Sequence, residues 1–436
     1  MERSMTQIGQ KDMLGKILNL ILIPLLVLIF STSSARAEAP DDEIAALKTQ
    51  VQQLLKRIEA LEQEQAKTKE AAAQQKEEVA KKAEPSVTMA NLASKLKLKG
   101  RWAAGYFDSG KAGSYPSGSF EVPDAKLQFT FEPDEINKIV MRMNLNNATF
   151  NSVDYSYIDT NLTKLLNLTL PLSSRIGRMK LEFGEETLWN NPIEGVVPSN
   201  SAINVDGKDE GLQLCGKLGK AKALNYAVSV TNGTSGTGSD TSTAKAFTGK
   251  LSYNILNPLY ISASYYNSAS MKSSSAEMSI AGLTSRPSNA ARWRREIWEV
   301  DLRYDFKRGK IFNPPAFSDS KAIVQLAYGG FSDDVSAGTL VSTKRSGKYG
   351  FVEGTYNFTK KFYAAGRASI IDLDGDASAS LNNITCNEYQ RYSLGGGYRL
   401  TGNTILKLGY DWNKESGPGV DEADNNLLSA VVASQF

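Results

Sequence analysis

From Leu96 onward apolar and polar residues alternate with a period of two. Residues 138–146 and 224–231 each set apolar side chains on one face of an extended chain and polar ones on the other. Runs of this kind recur near 96–107, 119–132, 138–148, 153–162, 174–183, 210–218, 223–232, 244–256, 258–268, 293–306, 321–331, 347–358, 361–371, 388–400, 403–413 and 426–436. That makes sixteen strands, an even number. Most connections alternate between tight turns, such as Thr359-Lys360 and Thr401-Gly402, and long loops, such as residues 184–209 and 269–292, with residues 163–173 and 307–320 departing from the alternation. The pattern predicts an all-β fold, a 16-stranded antiparallel transmembrane β-barrel over residues 95–436, with apolar faces toward lipid and polar faces toward water. The final predicted strand ends on an aromatic residue, Phe436.

The first part of the chain follows other periods. Arg3, Lys11 and Lys16 precede an apolar run from Ile17 to Phe30, and Ala35-Arg36-Ala37 follows it. This predicts a signal peptide over residues 1–37, because a helical span needs about 20 apolar residues. Ile44, Leu47, Val51, Leu54, Ile58 and Leu61 then step by three and four, the seam of a short N-terminal α-helical coiled coil over residues 38–65. β-branched residues at one seam position with Leu at the other favour two strands. Arg57, Ile58, Leu61 and Glu62 instead resemble the pattern of short trimeric coiled coils, so a homotrimer is expected. Residues 66–94, rich in Ala, Lys, Glu and Gln, read as a linker.

Composition narrows the chemistry. Mean hydropathy is −0.32, so a membrane-bound chain must cross as a closed barrel. Histidine is absent and only two cysteines occur, which removes haem attachment, His-based zinc sites and His-dependent triads. No catalytic residue, cofactor or metal is expected. Cys215 and Cys386 leave a disulfide and two free thiols both open. A formal charge of +3, part of it in the signal segment, gives no basis for nucleic-acid binding.

Parity assigns faces. With apolar positions outward, the water-filled side collects Lys97, Lys99, Arg101, Lys126, Arg142, Arg178, Lys180, Lys217, Lys250, Arg303, Arg367, Arg391 and Lys407. It also collects the acids Glu182, Glu299, Asp301, Asp305, Glu353 and Asp411. The cations outnumber the acids about two to one, and such a lumen concentrates anions. Arg142, Arg178, Lys180, Lys217, Arg303, Arg367, Arg391 and Lys407 are the expected pore-lining residues. Tyr253, Trp298, Tyr304, Tyr356, Tyr398, Tyr410 and Trp412, at strand ends, are expected to form interfacial girdles.

Residues 174–186, Ser-Arg-Ile-Gly-Arg-Met-Lys-Leu-Glu-Phe-Gly-Glu-Glu, are similar to the G-x-x-K-x-P-F-G-x-E strand of the phosphate-selective porin O and P family. Residues 209–216 and 225–233 resemble that family's next hairpin. The resemblance covers about sixty residues. It implies a trimeric channel whose third loop, residues 184–209, folds inward to narrow the pore. The coiled coil is similar to that of DcaP-like members, which implies a periplasmic position for it. The chain departs from the phosphate-selective pattern in this loop: Lys208 is its only basic residue, against Glu185, Glu186, Glu194, Asp206 and Asp209. Glu185, Glu186, Trp189, Glu194 and Lys208 are its expected constriction residues.

These readings converge on an outer-membrane porin that passes small hydrophilic solutes, chiefly anions such as phosphate or organic acids. Its partners would be outer-membrane lipid, two further copies of itself and small anionic solutes. The rival is a barrel-anchored protein that tethers the outer membrane to a periplasmic partner through the coiled coil.

Overall fold

The computed structural model describes residues 93–436 apart from 147–151, 190–191, 220–222, 234–242, 257, 273–277, 284–286, 288–289, 307–319, 339–343, 375–379, 382–383 and 418–419; upstream it describes Lys56 alone. The expected signal peptide and linker, and the coiled coil with Ile44, Leu47, Val51, Leu54, Arg57, Ile58, Leu61 and Glu62, lie outside the described residues.

The strands are β1 (Leu96–Ser109), β2 (Ser119–Phe131), β3 (Asn137–Asn144), β4 (Ser152–Thr160), β5 (Ser173–Lys180), β6 (Val205–Leu218), β7 (Leu224–Thr231), β8 (Ala246–Leu256) and β9 (Leu259–Asn267). There follow β10 (Met278–Ile280), β11 (Ala290–Phe306), β12 (Ala322–Gly338), β13 (Arg345–Asn357), β14 (Phe362–Asp374), β15 (Ser380–Leu381), β16 (Ile384–Thr385), β17 (Glu388–Arg399), β18 (Thr404–Ser416) and β19 (Leu427–Gln435). All pairings are antiparallel, and β1 bonds to both β2 and β19, so the sheet closes on itself. β10, β15 and β16 lie in loops, which leaves a barrel of sixteen strands. Closure removes every free edge, the condition lipid imposes on a spanning sheet. No described helix is long and apolar enough to cross a membrane.

The outer surface is apolar. Leu326, Tyr328, Val352, Leu394, Leu408 and Val432 are among the exposed outward side chains. Aromatic residues gather at the two limits of this band, with Trp298 packed on Tyr328 at one and Tyr304 on Phe306 at the other. Trp298 and Phe306 are eight residues apart on β11, about 27 Å along the strand and about 20 Å along the normal at a 40° tilt, close to the apolar height a membrane barrel presents. The expected girdle residues Tyr253, Tyr356, Tyr398 and Trp412 are exposed on the same surface.

The interior is filled in part by apolar packing. One cluster joins Met179, Leu181, Phe183, Ile203 and Val205 to Tyr266, Ile297, Phe331 and Ile371 of the wall. A second joins Val196 and Val197 to Ala103, Tyr363, Ile405 and Val431. Both clusters are built on the connection between β5 and β6, which therefore lies within the barrel. Cys215, on β6, and the buried Cys386 are not joined to each other by a disulfide. The long connection before β5 contains one helical turn, Leu162–Leu165, capped by Asn161, whose side chain accepts the Lys164 N–H.

Candidate functional site: an inserted loop facing an arginine wall

The third loop, residues 181–204, leaves the wall after Lys180 and turns at Gly184, whose φ of +56° suits glycine. A side chain there would strike Glu299. The Gly184 N–H donates to Ser264 Oγ at 3.0 Å, and Lys250 Nζ donates to the Gly184 carbonyl at 2.5 Å. Glu185, 3% exposed, pairs with Lys250 at 2.7 Å and accepts a hydrogen bond from Tyr260. Glu186 accepts from the Ser201 N–H at 2.7 Å and its hydroxyl at 2.5 Å, which ties the two ends of the loop together. Trp189 lies in the single turn Glu186–Trp189; its side chain is outside the described residues.

The loop then crosses to the far wall. Lys407 donates to the Gly195 carbonyl, Tyr363 to that of Val196 at 2.9 Å, Arg367 Nη1 to that of Ser199 at 3.0 Å and Arg391 Nη1 to that of Asn200 at 2.9 Å. Glycine makes room for the apolar part: a side chain at Gly395 or Gly409 would meet Val197 or Pro198. Each fully buried valine contributes roughly 1.5–3 kcal/mol. Burial and hydrogen bonds therefore fix the loop in place.

The near wall, β1 to β5, carries a different arrangement. Arg101 binds Asp124 through Nε at 2.8 Å and Nη2 at 2.7 Å. Arg175 binds Asp159 through the same two nitrogens at 2.7 and 3.3 Å. Arg142 meets Asp154 through Nε at 2.6 Å and Nη2 at 2.5 Å. Two of these guanidinium groups stack on tyrosine rings, Arg142 over Tyr155 at 4.1 Å and Arg175 over Tyr157 at 4.2 Å. Asp154 also faces Lys126 at 3.0 Å and Lys208 at 2.6 Å, so one carboxylate holds three cations. Among the described residues no protein acceptor meets Nη1 of Arg101, Arg142 or Arg175. The far-wall arginines show what that nitrogen can do: on Arg367 and Arg391 it binds a carbonyl oxygen of the loop.

The residues expected in the pore divide into several environments. Arg142 stands on the near wall. Arg367, Arg391 and Lys407 hold the loop, and Arg303 is a buried inner-face residue, 1% exposed. Lys217 is an exposed inner-face residue on β6, below Gln213 and Cys215. Lys180 lies at the rim, where it donates to the Thr187 carbonyl and pairs with Asp206 at 3.4 Å. Glu194 is half-buried in the loop crossing. Lys208 belongs to β6 rather than to the loop, because β6 begins five residues before the predicted strand.

Arg178 is a correction. Register pairs it with the exposed Ser156 and with Glu210, one step from the outward Ile158, Ile176 and Leu212, so it faces outside the barrel. Parity with apolar positions outward would turn Met179, Leu181 and Phe183 to lipid, whereas they pack inward against the loop, and the face of Arg178 reverses with theirs. Arg175 takes the inward place. Asp154 and Tyr155 follow from a register shift beside Arg142, which turns two consecutive side chains to the same face.

A closed sixteen-strand antiparallel barrel with an apolar outer band, a charged inner face and a loop lodged inside has the architecture of the outer-membrane porins. Among solved structures the fold is similar to OmpT, an outer membrane protein of Vibrio cholerae, at 10% identity over 78% of this chain and 99% of that one, with a TM-score of 0.51. It is also similar to the outer membrane channel DcaP of Acinetobacter baumannii, at 14% identity over 78% of this chain and 97% of that one, with a TM-score of 0.50. No family model and no curated protein matches the chain.

Proposed function

We propose that this chain is an outer-membrane porin, a homotrimer of water-filled channels for passive diffusion of small hydrophilic solutes, with anions preferred. The coiled coil would lie in the periplasm, and phosphate or small organic acids are the solutes its chemistry suits. No chemical step is assigned to it.

The observation that carries the reading is the trio Arg101, Arg142 and Arg175. Each is fixed through Nε and Nη2 to a carboxylate of a neighbouring strand, and Nη1 has no protein acceptor among the described residues. An oxyanion could exchange its water for these donors in succession, and prior fixation spares the cost of ordering the side chains. Glu182 lies within electrostatic reach of Arg175 and Lys250 and supplies negative charge near the turn into the loop. Opposed charges of this kind exclude large apolar solutes and leave small ions a hydrated path.

Planar-bilayer recording tests the proposal. Stepwise openings in threes, with a reversal potential on the anion side across a salt gradient, are expected. Folded protein that never conducts would overturn the channel. A cation-side reversal potential would overturn the role given to the arginines.

A further inference from the structure

The two limits of the outer apolar band differ in charge. Beyond the limit marked by Trp298 and Tyr328 the outward cations meet a carboxylate: Arg294 pairs with Asp334 at 3.0 Å and Lys344 with the same group at 3.2 Å. The opposite limit, from β11 to β17, carries Lys321, Lys360 and Lys361, and the one acid among its described residues, Asp305, faces inward and is fully buried. Lys321 Nζ sits over the Tyr356 ring, 4.4 Å from its centroid, and Lys361 Nζ lies 5.9 Å from that of Tyr398. The turn between β13 and β14 is held by Thr359, whose hydroxyl accepts the N–H groups of Lys361 at 3.1 Å and Phe362 at 2.9 Å. Among the described residues no acceptor meets the Lys360 N–H or the ammonium groups of Lys360 and Lys361. Phe358 stacks on Phe362 at 5.4 Å, and the two are 54% and 46% exposed, so the apolar band runs down to the lysines.

We propose that this edge binds an acidic phospholipid, its phosphodiester held by Lys321, Lys360 and Lys361 and its acyl chains lying on Phe358 and Phe362. The inference rests on the outer-membrane reading above, which sets this end in the periplasmic leaflet, and adds a ligand to the outer wall. Two features select the occupant. Three ammonium groups without an outward carboxylate among the described residues raise the local concentration of an anion. The surface beside them is apolar, and a lipid joins an anionic head to apolar chains in one molecule, whereas a peptidoglycan strand brings carboxylates but no chains to cover the rings. Lys321 and Lys361 stand two strands apart, about 10 Å, a gap that flexible lysine stems can close on one headgroup.

The test uses Phe358→Trp in the full chain, reconstituted in phosphatidylcholine vesicles that contain an equal mole fraction of dibrominated phosphatidylglycerol or dibrominated phosphatidylcholine. Bromine on the acyl chains quenches a tryptophan it touches, and the emission of the parent chain, with its five tryptophans, is subtracted. Brominated phosphatidylglycerol should quench the added tryptophan several-fold more strongly at low mole fraction. Combining Lys321→Gln, Lys360→Gln and Lys361→Gln should abolish the difference, and combining Lys321→Arg, Lys360→Arg and Lys361→Arg should retain it. Equal quenching by the two lipids overturns the proposal and keeps the barrel in lipid. A preference that survives the triple Gln variant overturns it as well. Quenching by neither lipid removes this wall from the membrane, and the outer-membrane reading falls with it. Sedimentation with purified peptidoglycan that is lost in the triple Gln variant, while the two lipids quench equally, gives the lysines to a glycan partner instead.

Discussion

Removing Arg142 and Arg175 together should weaken anion preference without disturbing the fold, and the reason lies in their partners. In Arg142→Gln, Asp154 keeps Lys126 at 3.0 Å and Lys208 at 2.6 Å. In Arg175→Gln, Asp159 keeps Lys138 at 3.6 Å. Neither change strands a carboxylate, the event that makes breaking a buried pair costly. A univalent ion about 5 Å from one guanidinium in a water-like medium interacts by about 0.8 kcal/mol, and screening at 0.1 M salt cuts this to about 0.5 kcal/mol. Two charges together give about 1 kcal/mol, which lowers anion occupancy roughly fivefold and raises cation occupancy by a similar factor. The assay is the reversal potential across a tenfold potassium chloride gradient. It should move toward the cation side in the double variant, and toward the anion side in Asp154→Asn. A double variant whose reversal potential matches the parent would refute the assignment of these arginines to the conducting path.

Lys250→Met leaves Glu185 buried beside Tyr260 without its cation, at a cost of about 3–5 kcal/mol. The thermal unfolding midpoint should fall, and adding Glu185→Gln should recover much of it. Gly177→Val should lower refolding yield by a strain of about 1–3 kcal/mol, because φ there is +130° and a side chain would lie 2.4 Å from the Ser156 carbonyl oxygen. Asp134 accepts hydrogen bonds from the backbone N–H groups of Asn137 and Ile136, and these hold its carboxyl below the ordinary carboxylate range. Its folded value is depressed, so its contribution is present above the unfolded value of about 4 and is lost as pH falls through the folded one. The difference in urea midpoint between the parent and Asp134→Ala should therefore shrink to nothing on acidification.

The strands were readable because a membrane barrel repeats one physical rule. Lipid demands an apolar side chain at every second position, and the sixteen predicted runs each overlap a barrel strand. The lumen was less readable. Period two cannot distinguish an apolar face turned to lipid from one turned to an inserted loop, and Met179, Leu181 and Phe183 are of the second kind. Bulges hide too: the shift beside Arg142 reverses parity within β4, so Asp154, the centre of the near-wall charge network, carried no signal. Arg175 could have been found by choosing Ile176 as the outward residue of its strand. Arg367 and Arg391 are expected from parity to line the pore, and their bonds to the carbonyls of Ser199 and Asn200, respectively, depend on where a distant loop folds, which no local pattern encodes.

The wall grips the third loop chiefly by its backbone. Gly184, Gly195, Val196, Ser199 and Asn200 all offer carbonyl oxygens, an atom every residue type possesses. The attachment at these five points is thus indifferent to which side chains the loop displays toward the opening. Exchanging residues on its free surface would alter what the aperture admits while the mooring stays intact, and one barrel could be retuned for a new solute by changes confined to that surface.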